Sequence, residues 1–312
     1  MMRTDIHIGI PDVFIFLGVF QALFLSWFFI KNGDTSRRAN LFQGLLLLSL
    51  SLAISEEWLN NTGYIVKVLW LTNFSESLNF VFGPLLYLYV ISSLNPEEKR
   101  RAIFHFIPFF FWFLYMFLTF IQPDEYKYNS YVETKHPDWE FLEVRLLVPD
   151  DPLGIRQYVN QLMVLQMLTY FTVTIIILHR KFRLLKQSLF RTDNELLIIL
   201  RNTLIHFLII MAILIITKLY FGMTSDVGNN IVASYISFMI YATSYQILNR
   251  SDFFERPGSV FSFPQMKYQK SSLSEESKEM ILVKILREME DKRYFTNNLA
   301  SLSGLSRQIN ES

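Results

Sequence analysis

The 312 residues are 51% hydrophobic and 16% aromatic with a mean hydropathy of +0.26, which is more apolar than a soluble globular domain of this length. A formal net charge of +1 excludes a general electrostatic attraction to nucleic acid. The lack of cysteine excludes disulfides, thiolate metal sites and cysteine nucleophiles. The composition therefore predicts an all-α, polytopic membrane protein.

The first apolar run, residues 13–30, follows Arg3 and the acids Asp5 and Asp12, a poor charge pattern for a signal peptide. The run is also longer than the usual apolar core of a signal peptide, and it leads directly into Lys31. We therefore expect it to be retained as the first membrane helix.

Further apolar runs follow along the chain. A bilayer core about 30 Å thick requires about 20 predominantly apolar residues as helix, because lipid offers the backbone no hydrogen-bond partner. Seven stretches meet this requirement: 13–30, 41–59, 68–94, 103–122, 158–178, 196–223 and 230–248. The sequence thus predicts a seven-helix transmembrane sensor domain over residues 1–249.

Basic residues in the connections between the predicted spans set the expected orientation. They concentrate in the first, third and fifth connections, as Lys31, Arg37, Arg38, Lys99, Arg100, Arg101, Arg180, Lys181, Arg183, Lys186 and Arg191. The other connections carry few, and the long fourth one, 123–157, mixes acids with few bases. Because basic residues near helix ends stay in the cytoplasm, we expect an external N-terminus and a cytoplasmic C-terminus.

Polar side chains near the outer ends of the predicted spans form the candidate ligand site, because charge in hydrocarbon is costly and is usually paired or functional. The candidate ligand-binding residues are Glu56, Glu57, Asn73, Glu76, Asn79, Lys218 and Tyr220. The alternative is that Glu56, Glu57 and Lys218 only extend to the interface. Glu76 would then be a structural contact between helices.

Motifs of catalysis are missing from the sequence, which has no phosphate-binding glycine loop, no zinc-spaced histidine pair and no nucleophile elbow. We therefore expect no enzymatic activity, no catalytic residues, no metal site and no cofactor. His206, inside a predicted span, is expected to be a hydrogen-bonded structural residue rather than a proton relay. Gly83 and Pro84 predict a bend in the third span, which is either a hinge or a kink that improves packing.

After the last predicted span, residues 250–271 contain Pro257, Gly258 and Pro264 and are expected to be a linker. A capping box, Ser272 with Glu275, predicts the start of a helix in the cytoplasmic tail. Its apolar stripe consists of Leu282, Ile285, Leu286 and Met289. Such a stripe must be covered, so we expect self-association as a homodimer or contact with a separate partner protein.

Three segments resemble bacterial seven-transmembrane proteins that end in an AraC-type helix-turn-helix domain. These are 83–90 (GPLLYLYV), 267–276 (KYQKSSLSEE) with the helix that follows it, and 305–312 (LSRQINES). Relative to the family pattern, the segment between Tyr294 and Asn310 is several residues shorter, and a second helix-turn-helix unit is lacking. The resemblance therefore implies an incomplete domain over residues 272–312.

The resemblance implies a transcriptional regulator in the bacterial cytoplasmic membrane that senses an external or membrane signal and acts on DNA. Ser306, Arg307 and Gln308 would begin its recognition helix, where Arg and Gln can read base edges and Ser can meet phosphate. The alternative is a seven-helix sensory module that signals through a separate partner protein, without DNA binding of its own. A transporter is less favoured, because the sequence shows no inverted repeat.

Overall fold

The computed structural model describes residues 2–31, 37–96, 102–221, 228–250 and 283–286. The chain divides into two units, Met1–Arg250 and Ser251–Ser312. All regular secondary structure in the described ranges is helical, so the predicted all-α class is confirmed for this part of the chain.

The described part of the first unit contains eight α-helices: α1 (Ile10–Lys31), α2 (Arg37–Asn61), α3 (Phe82–Leu94), α4 (Ile107–Phe120), α5 (Asp124–Lys135), α6 (Val159–Leu184), α7 (Glu195–Phe221) and α8 (Asn229–Arg250). Short 3₁₀ helices cover Tyr64–Lys67, Leu69–Leu71, Glu76–Phe80, Ala102–Phe106 and Arg156–Tyr158.

Several of these helices are suited to crossing a membrane. Among the described residues, five helical stretches are long and apolar enough: Ile10–Lys31, Arg38–Asn61, Ala102–Phe120, Arg156–Leu184 and Glu195–Phe221. The bent pair Leu69–Phe80 and Phe82–Leu94 makes six if it forms one crossing. The chain is therefore a helical membrane protein, and α8, which matches the seventh predicted span, is not among these helices.

The third predicted span, residues 68–94, is not a continuous helix. Two 3₁₀ helices, Leu69–Leu71 and Glu76–Phe80, precede α3, and the axis bends by 45° between Leu69–Phe80 and Phe82–Leu94. The bend comes before Gly83 and Pro84, which lie in the first turn of α3. Proline is tolerated there because the first-turn N–H groups have no partner within the helix. The third span is therefore bent as predicted, but the bend lies N-terminal to the predicted position at Gly83 and Pro84.

Helix α3 is the most enclosed element of the first unit. Every residue from Phe82 to Ser92 is buried, and α3 packs against α2 and α6. An added Cβ at Gly83 would approach the Cβ of Tyr170 on α6 to 3.1 Å, so glycine permits close contact between these helices. The main core cluster includes Leu86 and Val90 of α3 together with residues of α1, α2, α6, α7 and α8.

The long fourth connection contains α5, a helix that the apolar runs in the sequence do not predict. Tyr128, Tyr131 and Val132 form a buried stripe on α5 at helical spacing. Acidic residues Asp124 and Glu125 lie in its first turn and Lys135 lies in its last turn, an arrangement that complements the helix dipole.

In the second unit, residues 283–286 are helical, within the helix predicted after Ser272. The predicted linker, the rest of the tail and the predicted DNA-contacting residues Ser306, Arg307 and Gln308 lie outside the described residues.

Candidate functional site

We use the name "cap" for residues 2–9, 62–80 and 121–158, which lie at the ends of α2, α4 and α6 and include α5. The cap has an apolar core of its own, formed by Ile65, Val66, Leu69, Tyr128, Tyr131, Val132 and Trp139. This core unites α5 with the 3₁₀ helices Tyr64–Lys67 and Leu69–Leu71. The cap is thus a small folded layer at one end of the helices, at the place where the sequence predicts the ligand site.

The carboxylate of Glu56 connects α2 to the broken third span. The Glu56 side chain is buried, with 6% of the residue exposed, and it accepts a hydrogen bond of 2.7 Å from the backbone N–H of Ser75. The backbone N–H of Asn73 and the carboxylate of Glu76 also face it. Asn73 has a φ of 61°, a left-handed conformation that asparagine tolerates, and this turn directs the backbone toward Glu56.

The neighbouring carboxylate of Glu57 connects α2 to α5. Glu57 Oε1 accepts a hydrogen bond of 2.7 Å from Nζ of Lys135, which also donates to Oδ1 of Asn61 at 2.9 Å. Both charged side chains are largely buried. A salt bridge in this setting is screened less by solvent than an exposed pair, so it fixes the position of α5 on the end of α2.

The remaining predicted residues are spread over two regions. Glu76 and Asn79 lie on the 3₁₀ helix Glu76–Phe80, beside the Glu56 contact. Lys218 is buried on α7, which packs against α6 and α8. Tyr220 is 81% exposed and its ring contacts that of Phe221. The structure thus brings Glu56, Asn73 and Glu76 together, whereas Tyr220 lies on the outer surface of α7.

An aromatic stack forms a second polar feature of the cap. The rings of His136 and Trp139 are parallel at 3.8 Å, and the guanidinium of Arg3 lies 4.6 Å from the Trp139 ring centroid. Tyr131 and His136 share a hydrogen bond of 3.0 Å between the hydroxyl and Nε2. Burial lowers the pKa of His136 and raises the pKa of Tyr131 to about 12, so both are neutral near pH 7. The Arg3–Trp139 contact therefore ties the N-terminal segment to the residues that follow α5.

Residues 136–158 are held in place mainly by hydrogen bonds from and to side chains. The amide of Asn129 pairs with the backbone of Leu142 through two hydrogen bonds of 2.8 Å. Asp151 accepts hydrogen bonds from the Tyr115 hydroxyl and from the N–H groups of Ile155 and Arg156. These bonds, that from Tyr115 above all, hold the pKa of Asp151 below its usual range. The segment is an ordered part of the cap although it contains little helix.

Sequence reasoning missed Lys135, Ser75 and the Arg3–Trp139–His136 stack. The signal for Lys135 was available, because the dipole-compatible charges and the Tyr128, Tyr131, Val132 spacing predict α5. The contact of Ser75 had no signal, because it depends on a backbone turn at Asn73 that no local pattern specifies.

Two observations concern the chemistry of the described residues. His206 Nδ1 lies 2.9 Å from the Tyr235 hydroxyl, so this histidine is hydrogen-bonded between α7 and α8 as expected. The described part of the chain contains no group of three or more His, Asp or Glu side chains placed to hold a metal ion.

Comparisons of the chain with protein-family models, with curated proteins and with solved structures gave no match.

Proposed function

We propose that this chain is a membrane-bound signal receptor of the AraC type. In this proposal the cap faces the outside of a bacterial cytoplasmic membrane, and the C-terminal tail lies in the cytoplasm and acts on DNA through its helix-turn-helix segment. The observation that carries the receptor role is the Glu56–Ser75 contact, because it links α2 to the turn of the cap that leads directly into the buried helix α3.

The connection from the turn at Ser75 to α3 is short, and few of its residues can absorb a movement. Ser75 precedes the 3₁₀ helix Glu76–Phe80, and α3 follows this helix after a single residue. A ligand that displaces the 73–76 turn from Glu56 therefore moves the start of α3. Because α3 is enclosed by α2 and α6, a shift at its start must repack its neighbours along its length.

The proposed orientation requires an odd number of crossings, and in this proposal α8 is the seventh. Its 22 residues span about 33 Å at the usual helical rise of about 1.5 Å per residue, enough to cross a bilayer core. Its polar residues have partners on α1: Gln21 donates to Ser244 at 2.6 Å, and Tyr241 donates to the carbonyl of Phe14 at 3.1 Å. Interhelical hydrogen bonds of this kind allow a polar helix to lie in lipid.

The output through DNA rests on the resemblance of the tail. Arg307 and Gln308 have the side chains that read guanine and adenine edges, and Ser306 would contact phosphate. The alternative output is a separate partner protein that binds the stripe Leu282, Ile285, Leu286 and Met289. The proposal names no ligand class, because the carboxylate and amide oxygens of the cap can accept hydrogen bonds from many kinds of donor.

The test of the input uses the response of the cell to the stimulus that activates the receptor. Glu76→Gln and Lys218→Met, made separately, are expected to shift the concentration of stimulus needed for a half-maximal response. Asp124→Asn, at an exposed position of α5, is the control and should leave the response unchanged. An unchanged response in both test variants would remove the outer ligand site.

The test of the output is crosslinking of the full chain in living cells. We expect a discrete set of DNA fragments to be crosslinked to the wild-type chain. These fragments should no longer be recovered with Arg307→Ala or Gln308→Ala, and they should still be recovered with Lys284→Ala. Recovery of one heterologous protein and no DNA would favour the sensory module. A C-terminal fusion reporter that is active only on the outer face would contradict the orientation itself.

A further inference from the structure

The connection between α5 and α6 carries apolar side chains on its surface. Leu147 and Leu153 are 66% and 64% exposed, and Pro149 and Pro152 between them are exposed as well. Single exposed leucines are common on soluble proteins. The position of the charged side chains in the same segment therefore decides which medium this surface contacts.

The charged side chains of the segment are turned inward. Asp150 accepts a hydrogen bond of 2.9 Å from the Tyr126 hydroxyl, which itself accepts one of 2.8 Å from the guanidinium of Arg156. Asp151 accepts a hydrogen bond from the Tyr115 hydroxyl. Asp150, Asp151 and Arg156 are all half-buried, whereas in water the charged side chains are normally the exposed ones. The segment thus has the polarity of a surface that faces an apolar medium.

The depth of the segment follows from its contacts with α4. The stretch Ala102–Phe120, which includes α4, is about 30 Å long at the usual helical rise. Because the hydrocarbon core of a bilayer is about as thick, Phe120 lies near one boundary of the core. The backbone N–H of Leu153 donates a hydrogen bond of 3.2 Å to the Tyr115 hydroxyl, and Ile155 packs on the cluster that contains Tyr115.

Tyr115 lies well inside that boundary. It precedes Phe120 by five residues, which corresponds to about 7 Å along the helix. Side chains on a helix tilt toward its N-terminus, so the Tyr115 hydroxyl lies no nearer to Phe120 than its own backbone does. Leu153 is therefore more than one helical turn below the end of α4.

The backbone of this deepest part meets the demand that lipid makes on irregular structure. Pro152 has no N–H group. The N–H groups of residues 153–156 all donate to protein acceptors at 3.0 to 3.2 Å, one to the Tyr115 hydroxyl and three to the carbonyl and carboxylate of Asp151. Every backbone N–H from 152 to 156 is therefore satisfied without water, as a lipid environment requires.

We propose that residues 147–155 of the cap insert into the adjacent leaflet of the membrane, with Leu147 and Leu153 in contact with lipid acyl chains. Lipid is the occupant because the segment packs on α4, whose exposed Leu114 and Phe117 lie at a similar depth and face the bilayer. An insertion of about 5–10 Å is typical of segments at the boundary between headgroups and acyl chains.

The insertion gives the cap a second anchor besides the helices. The amide of Gln122, just beyond the end of α4, holds the backbone of Leu147 and Val148 through hydrogen bonds of 3.1 and 2.9 Å. The cap is therefore held by α4 on one side of this segment and by lipid on the other. Which leaflet is involved rests on the orientation in the proposed function, whereas the insertion itself does not.

The experiment uses single-cysteine variants of the full chain, which has no cysteine of its own. Leu147→Cys and Leu153→Cys are labelled with a nitroxide and placed in nanodiscs of phosphatidylcholine, a zwitterionic lipid that excludes attraction by net charge. Electron paramagnetic resonance measures collisions of each label with molecular oxygen, which concentrates in lipid, and with a nickel chelate, which stays in water. We expect both labels to collide more with oxygen and less with the chelate than a label at Arg145→Cys.

Two further labels set the scale. Arg145→Cys, at an exposed charged position just before the segment, reports water, and Leu114→Cys, at an exposed position of α4, reports lipid. Values for Leu147→Cys and Leu153→Cys close to those for Leu114→Cys support the insertion, and values close to those for Arg145→Cys would overturn it.

Low collision with both reagents would also overturn the insertion, because protein would then cover the segment. The two leucine positions are independent, so a failure of one variant to fold leaves the other as the test. Thermal unfolding in detergent, unchanged from the wild type, identifies the folded variants. The readings require neither a stimulus nor DNA, so failure of the proposed function leaves them unaffected.

Discussion

Nζ of Lys135 on α5 lies 2.7 Å from Oε1 of Glu57 on α2, and this ion pair connects the cap to α2. Glu57→Gln or Lys135→Met leaves the partner's charge in a largely buried position. We expect each change to lower the free energy of unfolding by about 1–3 kcal/mol. Thermal unfolding in detergent micelles measures the effect.

The double variant is the control for this pair. Glu57→Gln with Lys135→Met leaves no uncompensated charge, so its loss should be smaller than the sum of the two single losses. Asp124, which is 3.8 Å from Lys127 but exposed, provides a comparison in which Asp124→Asn should have little effect. Additive losses in the double variant would show that Glu57 and Lys135 contribute independently.

Two glycines of the cap have positive φ but different surroundings, and this difference gives a second prediction. Gly63 has a φ of 72° and a Cβ there would collide with the backbone oxygen of Asp5, whereas Gly154 has a φ of 62° and no neighbour within 4 Å. Gly154→Ala should therefore cost only the left-handed conformation, about 1–2 kcal/mol. Gly63→Ala should cost more, because it also displaces the N-terminal segment.

Limited proteolysis with N-terminal sequencing distinguishes the two variants. Gly63→Ala should expose the peptide bonds near Asp5 to cleavage, while Gly154→Ala should keep the wild-type pattern there. Equal protection of the N-terminal segment in both variants would show that this segment adjusts without leaving the cap.

The sequence predicts the apolar helices better than it predicts the cap. Hydropathy located α1, α2, α4, α6 and α7, because lipid imposes a continuous apolar run on any single crossing helix. The third span was assigned to one helix for the same reason. Its break around Asn73 is stabilised by Glu56 from another element, and such a contact between distant residues leaves no periodic signal.

The candidate site shows the same limit. Charge in the spans indicated Glu56 and Glu76, which the structure brings together. Tyr220 was included as a hydrogen-bonding residue at a similar depth, but it lies on the exposed face of α7. Depth along a helix does not determine which face a side chain occupies. Lys135 was overlooked because it lies outside the spans, in the connection that contains α5.

The contact between α1 and α8 provides a third prediction. A Cβ added at Gly18 would lie 2.7 Å from the Cβ of Ser237, so Gly18→Ala forces the two helices apart. We expect a loss of about 1–3 kcal/mol in stability. Ser237→Gly removes the colliding atoms and should restore part of the loss in the double variant. No recovery in thermal unfolding would place the strain elsewhere on α1.

The last prediction concerns acid. Burial lowers the pKa of His136. The nearby Arg3 and His7 also lower this pKa, whereas the acids Asp5 and Asp138 raise it. A histidine with a lowered folded-state pKa binds fewer protons than in the unfolded chain, so unfolding takes up a proton. Stability should therefore fall as pH decreases below about 6.5, the ordinary histidine value, and the loss is complete below the folded-state pKa.

His136→Phe keeps a ring to stack on Trp139 but cannot titrate, so it isolates this contribution. Thermal unfolding between pH 7.5 and pH 5 should show a shallower decline for His136→Phe than for the wild type. The Tyr131 hydroxyl loses its partner in the variant, which lowers stability by a similar amount at each pH and leaves the slope unaffected.

His7→Gln, at a histidine that contributes to the field around His136, should retain most of the wild-type slope. Parallel curves for the wild type and His136→Phe would assign the acid sensitivity to other groups, because the stacked imidazole would then titrate alike in the folded and unfolded chain.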